Sequence, residues 1–188
     1  MSLKSKVVGA IAGATLLGGG ITSVVKHNEG YSESAYQDSA GVWTICYGET
    51  KNVYKGLYVT QKQCDAQLVQ SITEHAKALE GLPENLPDVV ILGSVDMTYN
   101  IGVYGFKNSM VKQLLMKKDY AAAERAVLAW RYITIKGEKY NCSQLVNGKP
   151  NKVCWGLWER RQWQATAIGN RYGSLESAVN ALMKGQEI

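Results

Sequence analysis

Three side chains near the start of the chain have the types and the spacing that acid–base hydrolysis requires. Glu29 is followed nine positions later by Asp38, and Thr44 follows six positions after that. Hydrolysis of a glycosidic bond needs one carboxylic acid that protonates the leaving oxygen and a second carboxylate that serves the water or the developing charge. A nearby hydroxyl such as that of Thr44 can hold the attacking water. The alternative is that these are surface carboxylates and an ordinary strand threonine.

The elements around these residues must place the end of a helix beside a strand. Gly30 would end a helical segment directly after Glu29, and residues 36–58 carry β-branched and aromatic side chains separated by glycines. This pattern predicts a small hairpin or three-stranded sheet. Helices are then expected to begin at or next to Thr60, Asp88, Asn108-Ser109 and Asp119, and to cover residues 155–168 and 175–184, with 133–153 as a long polar loop. We therefore predict an α+β fold, with one small sheet beside a mainly helical body.

Length and composition exclude several classes of protein. The chain has 188 residues and a formal net charge of +5, with 46% hydrophobic and 20% charged residues. This balance excludes a disordered chain, a collagen-like chain and a polytopic membrane protein. The positive charge favours an anionic partner and leaves open whether that partner is nucleic acid, lipid or cell wall.

The N-terminus carries an uncharged run of 19 residues from Val7 to Val25, preceded by Lys4 and Lys6. A helix of that length rises about 28 Å, close to the hydrocarbon thickness of a bilayer. Its eight strongly apolar side chains contribute only about −2 to −5 kcal/mol to insertion, and five glycines dilute the run further. The pattern predicts a weak anchor over residues 1–26 that can enter and leave a membrane, followed by a domain over 27–188. A cleaved signal peptide and an ordinary buried helix are the alternatives.

Four cysteines, Cys46, Cys64, Cys142 and Cys154, allow three disulfide connectivities. We favour Cys46–Cys64 and Cys142–Cys154, each of which closes a short loop, and an oxidising destination; four reduced thiols in a cytosolic protein are the alternative. A metal site is not expected, because there is no CxxC motif and the chain has only two histidines.

The motifs around the three candidate residues resemble the catalytic core of phage-type lysozymes, the T-even lysozyme family (glycoside hydrolase family 24). The resemblance begins with Asn28-Glu29-Gly30, Tyr36-Gln37-Asp38 and the stretch GVWTICYG at 41–48. It continues, in order, with Tyr99-Asn100-Ile101-Gly102, with GFKNS at 105–109 and with Trp158-Glu159-Arg160-Arg161. It implies a lysozyme-like fold and hydrolysis of the β-1,4 bond between N-acetylmuramic acid and N-acetylglucosamine in peptidoglycan.

Carried over residue by residue, the resemblance makes Glu29 the general acid, Asp38 the second carboxyl group and Thr44 the residue that positions water. Ser109 and Thr50 fall at saccharide-contacting positions. One departure is Glu49, which stands where the family usually has histidine. It either adds a carboxylate near the cleft or points into solvent.

The apolar run ends so close to Glu29 that the location of the run constrains the position of Glu29. Glu29 is the fourth residue after Val25, and four extended residues span at most about 14 Å. The arrangement resembles the signal-arrest-release endolysins of phages. It implies an enzyme tethered through residues 7–25 to the host inner membrane, facing the periplasm and inactive, and later soluble and active in the periplasm.

The expected partner is peptidoglycan, with no nucleic acid, no cofactor and a monomeric soluble form. The inverted anomer is the expected product. A lytic transglycosylase and a non-catalytic, membrane-anchored wall-binding module are the alternatives.

Overall fold

The computed structural model describes residues 1–38 and 41–185 of the chain. Its helices are α1 (Leu3–Ala12), α2 (Leu16–Glu29), α3 (Gln61–His75), α4 (Asp88–Lys107), α5 (Met110–Met116), α6 (Tyr120–Leu128), α7 (Trp155–Ile168) and α8 (Leu175–Met183), with a short 3₁₀ helix at Ala76–Leu79. The strands are β1 (Ser32–Gln37), β2 (Trp43–Cys46), β3 (Tyr132–Ile135), β4 (Glu138–Asn141), β5 (Leu145–Val146) and β6 (Lys149–Pro150). The predicted α+β class is confirmed.

The N-terminal apolar run forms two helices, α1 and α2, that are bent by 88° relative to each other. The chain turns at Ala14, whose φ is positive, and the Thr15 side chain then caps α2. The bend lets both helices turn their apolar faces inward: Val7, Val24 and Val25 are fully buried in the same core as the rest of the domain. In this conformation the run is therefore part of the core and is not a continuous span.

Ion pairs attach this N-terminal region to the body. Each pair joins a cation of residues 1–26 to a carboxylate of the segment 65–88: Met1 amine–Glu84, Lys4–Glu80, Lys6–Asp88 and Lys26–Asp65. The partners are all partly exposed, so each pair contributes on the order of 0–1 kcal/mol. They add to the apolar packing that holds the two helices against the body.

The hairpin of β1 and β2 follows directly after α2. Tyr36 pairs with Thr44 and Gln37 with Trp43, while an irregularity in register lies between Ser32 and Tyr36. The third strand that the sequence allowed is reduced to a single bridge between Ser34 and Tyr58. A disulfide between Cys46 and Cys64 ties β2 to α3, which holds the hairpin against the helical body.

The start signals of the later helices act as expected. Thr60 and Gln63 form a capping box on α3, and the side chains of Ser109 and Asp119 cap α5 and α6. Helix α4 is kinked at Gly102, whose φ of +79° is outside the helical region. Each cap satisfies backbone N–H groups that a helix leaves unpaired at its first turn.

Residues 133–153, expected to be a loop, mostly form two small hairpins, so that prediction was wrong. β3 pairs with β4 and β5 with β6, both antiparallel. The tight turns use Lys136-Gly137 and Asn147-Gly148, all with positive φ, as two-residue hairpin turns require. The disulfide Cys142–Cys154 closes this segment against the start of α7.

Candidate active site

Glu29 is the last residue of α2, and Gly30 ends the helix with a φ of +73°. The Glu29 side chain is 20% exposed. A Cβ atom built on Gly48, just after β2, would lie 3.7 Å from Glu29 Oε2. The helix end therefore brings the carboxyl group of Glu29 against the base of the hairpin, and the missing side chain of Gly48 leaves room beside Oε2.

Arg160 of α7 holds the other oxygen of Glu29. Its Nη2 atom donates to Glu29 Oε1 and to Asp96 Oδ1, both at 2.8 Å. The Asp96 side chain is fully buried in the middle of α4 and that of Arg160 is 9% exposed. Because Oε1 is occupied by this donor, Oε2 is the oxygen of Glu29 that remains on the hairpin side.

A set of amide and guanidinium donors surrounds the buried carboxylate of Asp96. Asn28 donates to Oδ1 at 2.9 Å, while Gln164 at 2.6 Å and Arg160 Nε at 3.2 Å donate to Oδ2. Burial alone would lower the pKa of Arg160, but the charges of Asp96 and Glu29 raise it. The guanidinium therefore stays protonated and gives Glu29 a fixed cationic neighbour.

The adjacent Arg161 braces the same helix from another side. Its Nε donates to the Trp130 carbonyl at 3.0 Å, and its terminal nitrogens donate to Asn100 and Gln164. Burial first, and the charge of Arg160 second, lower the pKa of Arg161 to about 10. Both arginines of the motif at 158–161 thus serve to fix α7 relative to α4.

The hairpin carries the other two predicted site residues. The Asp38 carboxylate accepts from the Val42 N–H at 2.9 Å, and the Asp38 N–H donates to the Val42 carbonyl at 3.0 Å. Thr44 is 4% exposed, and its hydroxyl donates to the Val42 carbonyl at 3.1 Å. Asp38 lies opposite Val42 and Tyr36 opposite Thr44, so the alternation of side chains puts Asp38 and Thr44 on one face of the hairpin.

Tyr99 of α4 lies between the hairpin and α3. Its ring stacks on that of His75 with 4.5 Å between centroids, and its hydroxyl lies 3.5 Å from the Tyr47 carbonyl. Burial, with the charges of Glu49 and Glu29, raises the pKa of Tyr99 to about 12.

Glu49 is half-buried and lines a cavity of about 590 Å³ between the hairpin and α3. Its carboxylate is therefore part of this region and not simply a surface group.

The two predicted saccharide contacts differ in their surroundings. Ser109 is 4% exposed, and its hydroxyl already donates to the Phe106 carbonyl and accepts from the Lys112 N–H. Thr50 is exposed and follows Glu49. Their contact with a sugar stays a prediction. Within residues 1–38 and 41–185, no group of His, Cys, Asp or Glu side chains is arranged to hold a metal ion.

Sequence reasoning missed Asp96, Gln164 and the individual role of Arg160. One signal was present: a single acidic residue inside the apolar stretch 89–98 must be paired when it is buried. The partner, 64 positions later in the chain, could not be identified from that signal alone.

The chain is similar to known proteins both in sequence and in structure. The family model described as phage lysozyme matches residues 26–164. A protein named SAR-endolysin from Escherichia phage N15 is 31% identical over 88% of this chain and 95% of its own length. A second protein of that name, from Enterobacteria phage P21, is 27% identical over 70% of this chain and 83% of its own length. The structure of the endolysin from Escherichia coli O157:H7 phage FAHEc1 superposes with a TM-score of 0.66, at 25% identity over 81% of this chain and 92% of that one.

Proposed function

The chain belongs to the phage lysozyme family and is an endolysin-type enzyme that cleaves peptidoglycan, and from this premise we propose which bond it breaks and which residues act. The bond is the β-1,4 linkage between N-acetylmuramic acid and N-acetylglucosamine. Glu29 is the general acid, Asp38 the second carboxylate and Thr44 the residue that positions water.

The geometry of Glu29 supports its role as the proton donor. Arg160 occupies Oε1, while Oε2 lies beside Gly48, two residues after the end of β2, the strand that carries Thr44. A carboxyl group held at one oxygen presents the other in a fixed direction, which is what proton transfer to a leaving oxygen requires. This arrangement is the single observation that carries the assignment.

Replacement of Glu29 tests it. Glu29→Gln keeps a carbonyl oxygen for Arg160 but cannot protonate the leaving group, so we expect turnover to fall by about 10²–10⁴-fold with the fold unchanged. Release of soluble fragments from purified peptidoglycan measures turnover, and circular dichroism checks the fold. Glu176→Gln, an exposed residue of α8, is the control. A folded Glu29→Gln variant with near-parental turnover would refute the assignment.

Analysis of the products tests Asp38 and Thr44. If they hold a water on the face opposite Glu29, the product is the inverted anomer, and the carboxyl groups of such a pair stand about 6.5–9.5 Å apart. A retained anomer would instead indicate a covalent intermediate. A 1,6-anhydro sugar would show a lytic transglycosylase, and no cleavage at all would leave only a wall-binding role.

The proposal extends to the N-terminal region. Residues 1–26 first hold the enzyme in the inner membrane through residues 7–25, with the domain from residue 27 facing the periplasm, and then dock as α1 and α2. The names of the relatives and the uncharged run support this. Glu29 is the final residue of α2, so its contact with Arg160 forms only when α2 docks. Release of residues 1–26 from the membrane would therefore complete the active site, because it allows α2 to dock and Glu29 to meet Arg160.

Fractionation over time tests the tether. The uncleaved protein should be found in the membrane first and be soluble in the periplasm later. Gly9→Leu combined with Gly19→Leu should hold it in the membrane, because two leucines add about −0.6 to −1.2 kcal/mol to insertion, while neither position has a neighbour within 4 Å of a new Cβ atom in the docked form. The matched control is the same pair changed to serine. A soluble species truncated near residue 25, without a full-length one, would contradict the tether.

A further inference from the structure

A second concave region lies between α2, α7 and α8. It is a cavity of about 520 Å³, lined by Trp155, Trp158 and Trp163 of α7, His27 and Asn28 of α2, and the last turn of α8. The volume is in the usual range for small-molecule sites, about 300–1,000 Å³. None of Glu29, Asp38 and Thr44 is among the described residues that line it. We call it the tryptophan pocket.

The aromatic residues of the tryptophan pocket are held in place. The Trp155 indole N–H donates to Glu159 Oε1 at 3.1 Å. The Trp163 indole N–H donates to the Ala178 carbonyl at 2.9 Å, and that ring is 4% exposed. Trp155 and Trp158 are half-buried, so each covers core atoms while part of its ring stays accessible. The pocket therefore presents partly exposed indole surfaces above a buried aromatic floor.

The polar groups of the tryptophan pocket do not form a charged ligand site. Two charged residues among those that the structure describes line it, and both are engaged: the Arg160 guanidinium is bound to Asp96 and Glu29, and the Glu159 carboxylate accepts from the Trp155 indole N–H. His27 and Gln162 also line the pocket, and within the described part of the chain their side chains make no hydrogen bond. Flat apolar surfaces with uncommitted imidazole and amide groups suit a neutral, amphipathic ring. A pyranose ring has that character, with an apolar C–H face and polar groups around its rim.

We propose that the tryptophan pocket is an accessory binding site for N-acetylated amino-sugar chains, distinct from the site of cleavage. The proposal rests on the proposed function, because the ligand is the polymer that the enzyme cleaves. A second contact with the same polymer keeps the enzyme at a high effective concentration on its substrate. Since His27 and Asn28 belong to α2, the pocket is complete only when the N-terminal region is docked. Arg160 lines the pocket and also contacts Glu29.

The five tryptophans of the chain allow a test on the intact protein. Each indole N–H gives one nuclear magnetic resonance signal, which single Trp→Phe variants assign. The sample is the Glu29→Gln variant, which prevents turnover, and the probe is N,N′,N″-triacetylchitotriose, with maltotriose as the control without acetamido groups. We expect saturable shifts at Trp155 and Trp158, while Trp130 stays unchanged. Trp43, on the hairpin, reports binding at the cleavage site separately.

Two outcomes would overturn the accessory site: movement of Trp43 with Trp155 and Trp158 unmoved, or no movement of any indole signal at millimolar probe. The turnover of the parental enzyme is measured independently, so failure here is distinguishable from failure of the proposed function.

A second measurement uses Trp155→Leu with Trp158→Leu, with Trp130→Leu as the control. The double variant should bind intact peptidoglycan about tenfold more weakly and cleave short soluble fragments at the parental rate. Parental binding by a folded double variant would contradict the proposal.

Discussion

Within residues 1–38 and 41–185, two regions are long and apolar enough by composition to cross a membrane, and they differ in what interrupts them. Helix α4 is a single helix of 20 residues, and 61% of its most apolar window is buried in the protein. Helices α1 and α2 have the required length and composition only when they are taken together across their 88° bend. Length and apolar content therefore do not separate a core helix from a candidate anchor.

Charge within the segment does separate them. Asp96 lies in the middle of α4 and is fully buried beside Arg160. A carboxylate at the centre of a membrane helix costs about 2.5–3.5 kcal/mol on insertion scales. The run 7–25 has no ionisable side chain, and its cations stand at both ends. Helix α4 is thus committed to the folded body, whereas the N-terminal region is compatible with both environments.

Removal of the Asp96 carboxylate should have the greatest effect on stability. Asp96→Ala leaves the buried Arg160 without its main partner, so the free energy of unfolding should fall by about 3–5 kcal/mol, as measured by urea denaturation. Turnover should fall as well, because Arg160 holds Glu29. Asp96→Asn keeps the shape of the side chain and one acceptor oxygen for Arg160, so it should lower the free energy of unfolding by less. If Asp96→Ala lowers the free energy of unfolding by less than 1 kcal/mol, the paired carboxylate is not what commits α4 to the folded body.

The next effect concerns the contact between α1 and α2. A Cβ atom on Gly18 would lie 2.3 Å from the Ala10 carbonyl oxygen, whereas one on Gly19 has no neighbour within 4 Å. Gly18→Ala should therefore destabilise the docked form by about 1–3 kcal/mol. Gly19→Ala should stabilise it by about 0.5–1 kcal/mol, because alanine is the better helix former. Thermal unfolding of the two variants checks this, and equal stabilities would mean that the helices do not cross at Gly18.

Loss of the ion pair between Lys26, near the end of α2, and Asp65 should have the weakest effect on stability. Lys26 Nζ lies 2.7 Å from Asp65 Oδ1, and the Tyr47 hydroxyl donates to the same oxygen at 2.7 Å. The bond from Lys26, followed by that from Tyr47, lowers the pKa of Asp65. A carboxylate whose pKa is lowered on folding stabilises the folded protein at pH values above its ordinary pKa, near 3.9. This stabilisation is lost as the pH falls through the lowered pKa.

We expect Asp65→Asn to reduce the free energy of unfolding by less than about 1 kcal/mol at pH 7, since both partners are partly exposed. The difference from the parent should shrink as the pH falls below the ordinary pKa of a carboxyl group, and it should disappear below the lowered pKa of Asp65. Denaturation curves at several pH values measure it. A difference that stays constant into strong acid would assign the effect to packing and not to charge.

Local signals in the sequence predicted the local structure well. At the starts of α5 and α6, Ser109 and Asp119 each accept from the backbone N–H three residues further on, and at the start of α3 the Gln63 side chain accepts from the Thr60 N–H. Asn147-Gly148 was an equally local hairpin signal, and the loop expected at 133–153 overlooked it. The disulfides present in the structure are the two predicted ones: Cys46–Cys64 joins the hairpin to the next helix, and Cys142–Cys154 closes the polar segment.

What could not be predicted depends on contacts between distant parts of the chain. The pairing of Asp96 with Arg160 spans 64 positions, and no local pattern selects one arginine over its neighbour Arg161. The bend at Ala14 is equally non-local, because it accompanies the packing of α2 against α4 and α8, which lie far along the chain.

The link between Cys46 and Cys64 has a practical consequence for anyone who prepares this enzyme. Cys46 is two residues from Gly48, and Gly48 is the hairpin residue that faces Glu29. In a reducing cytosol the thiols stay unjoined, and this end of the hairpin loses its covalent attachment to α3. Material purified from such cells should be reoxidised before its specific activity is compared with that of an exported preparation.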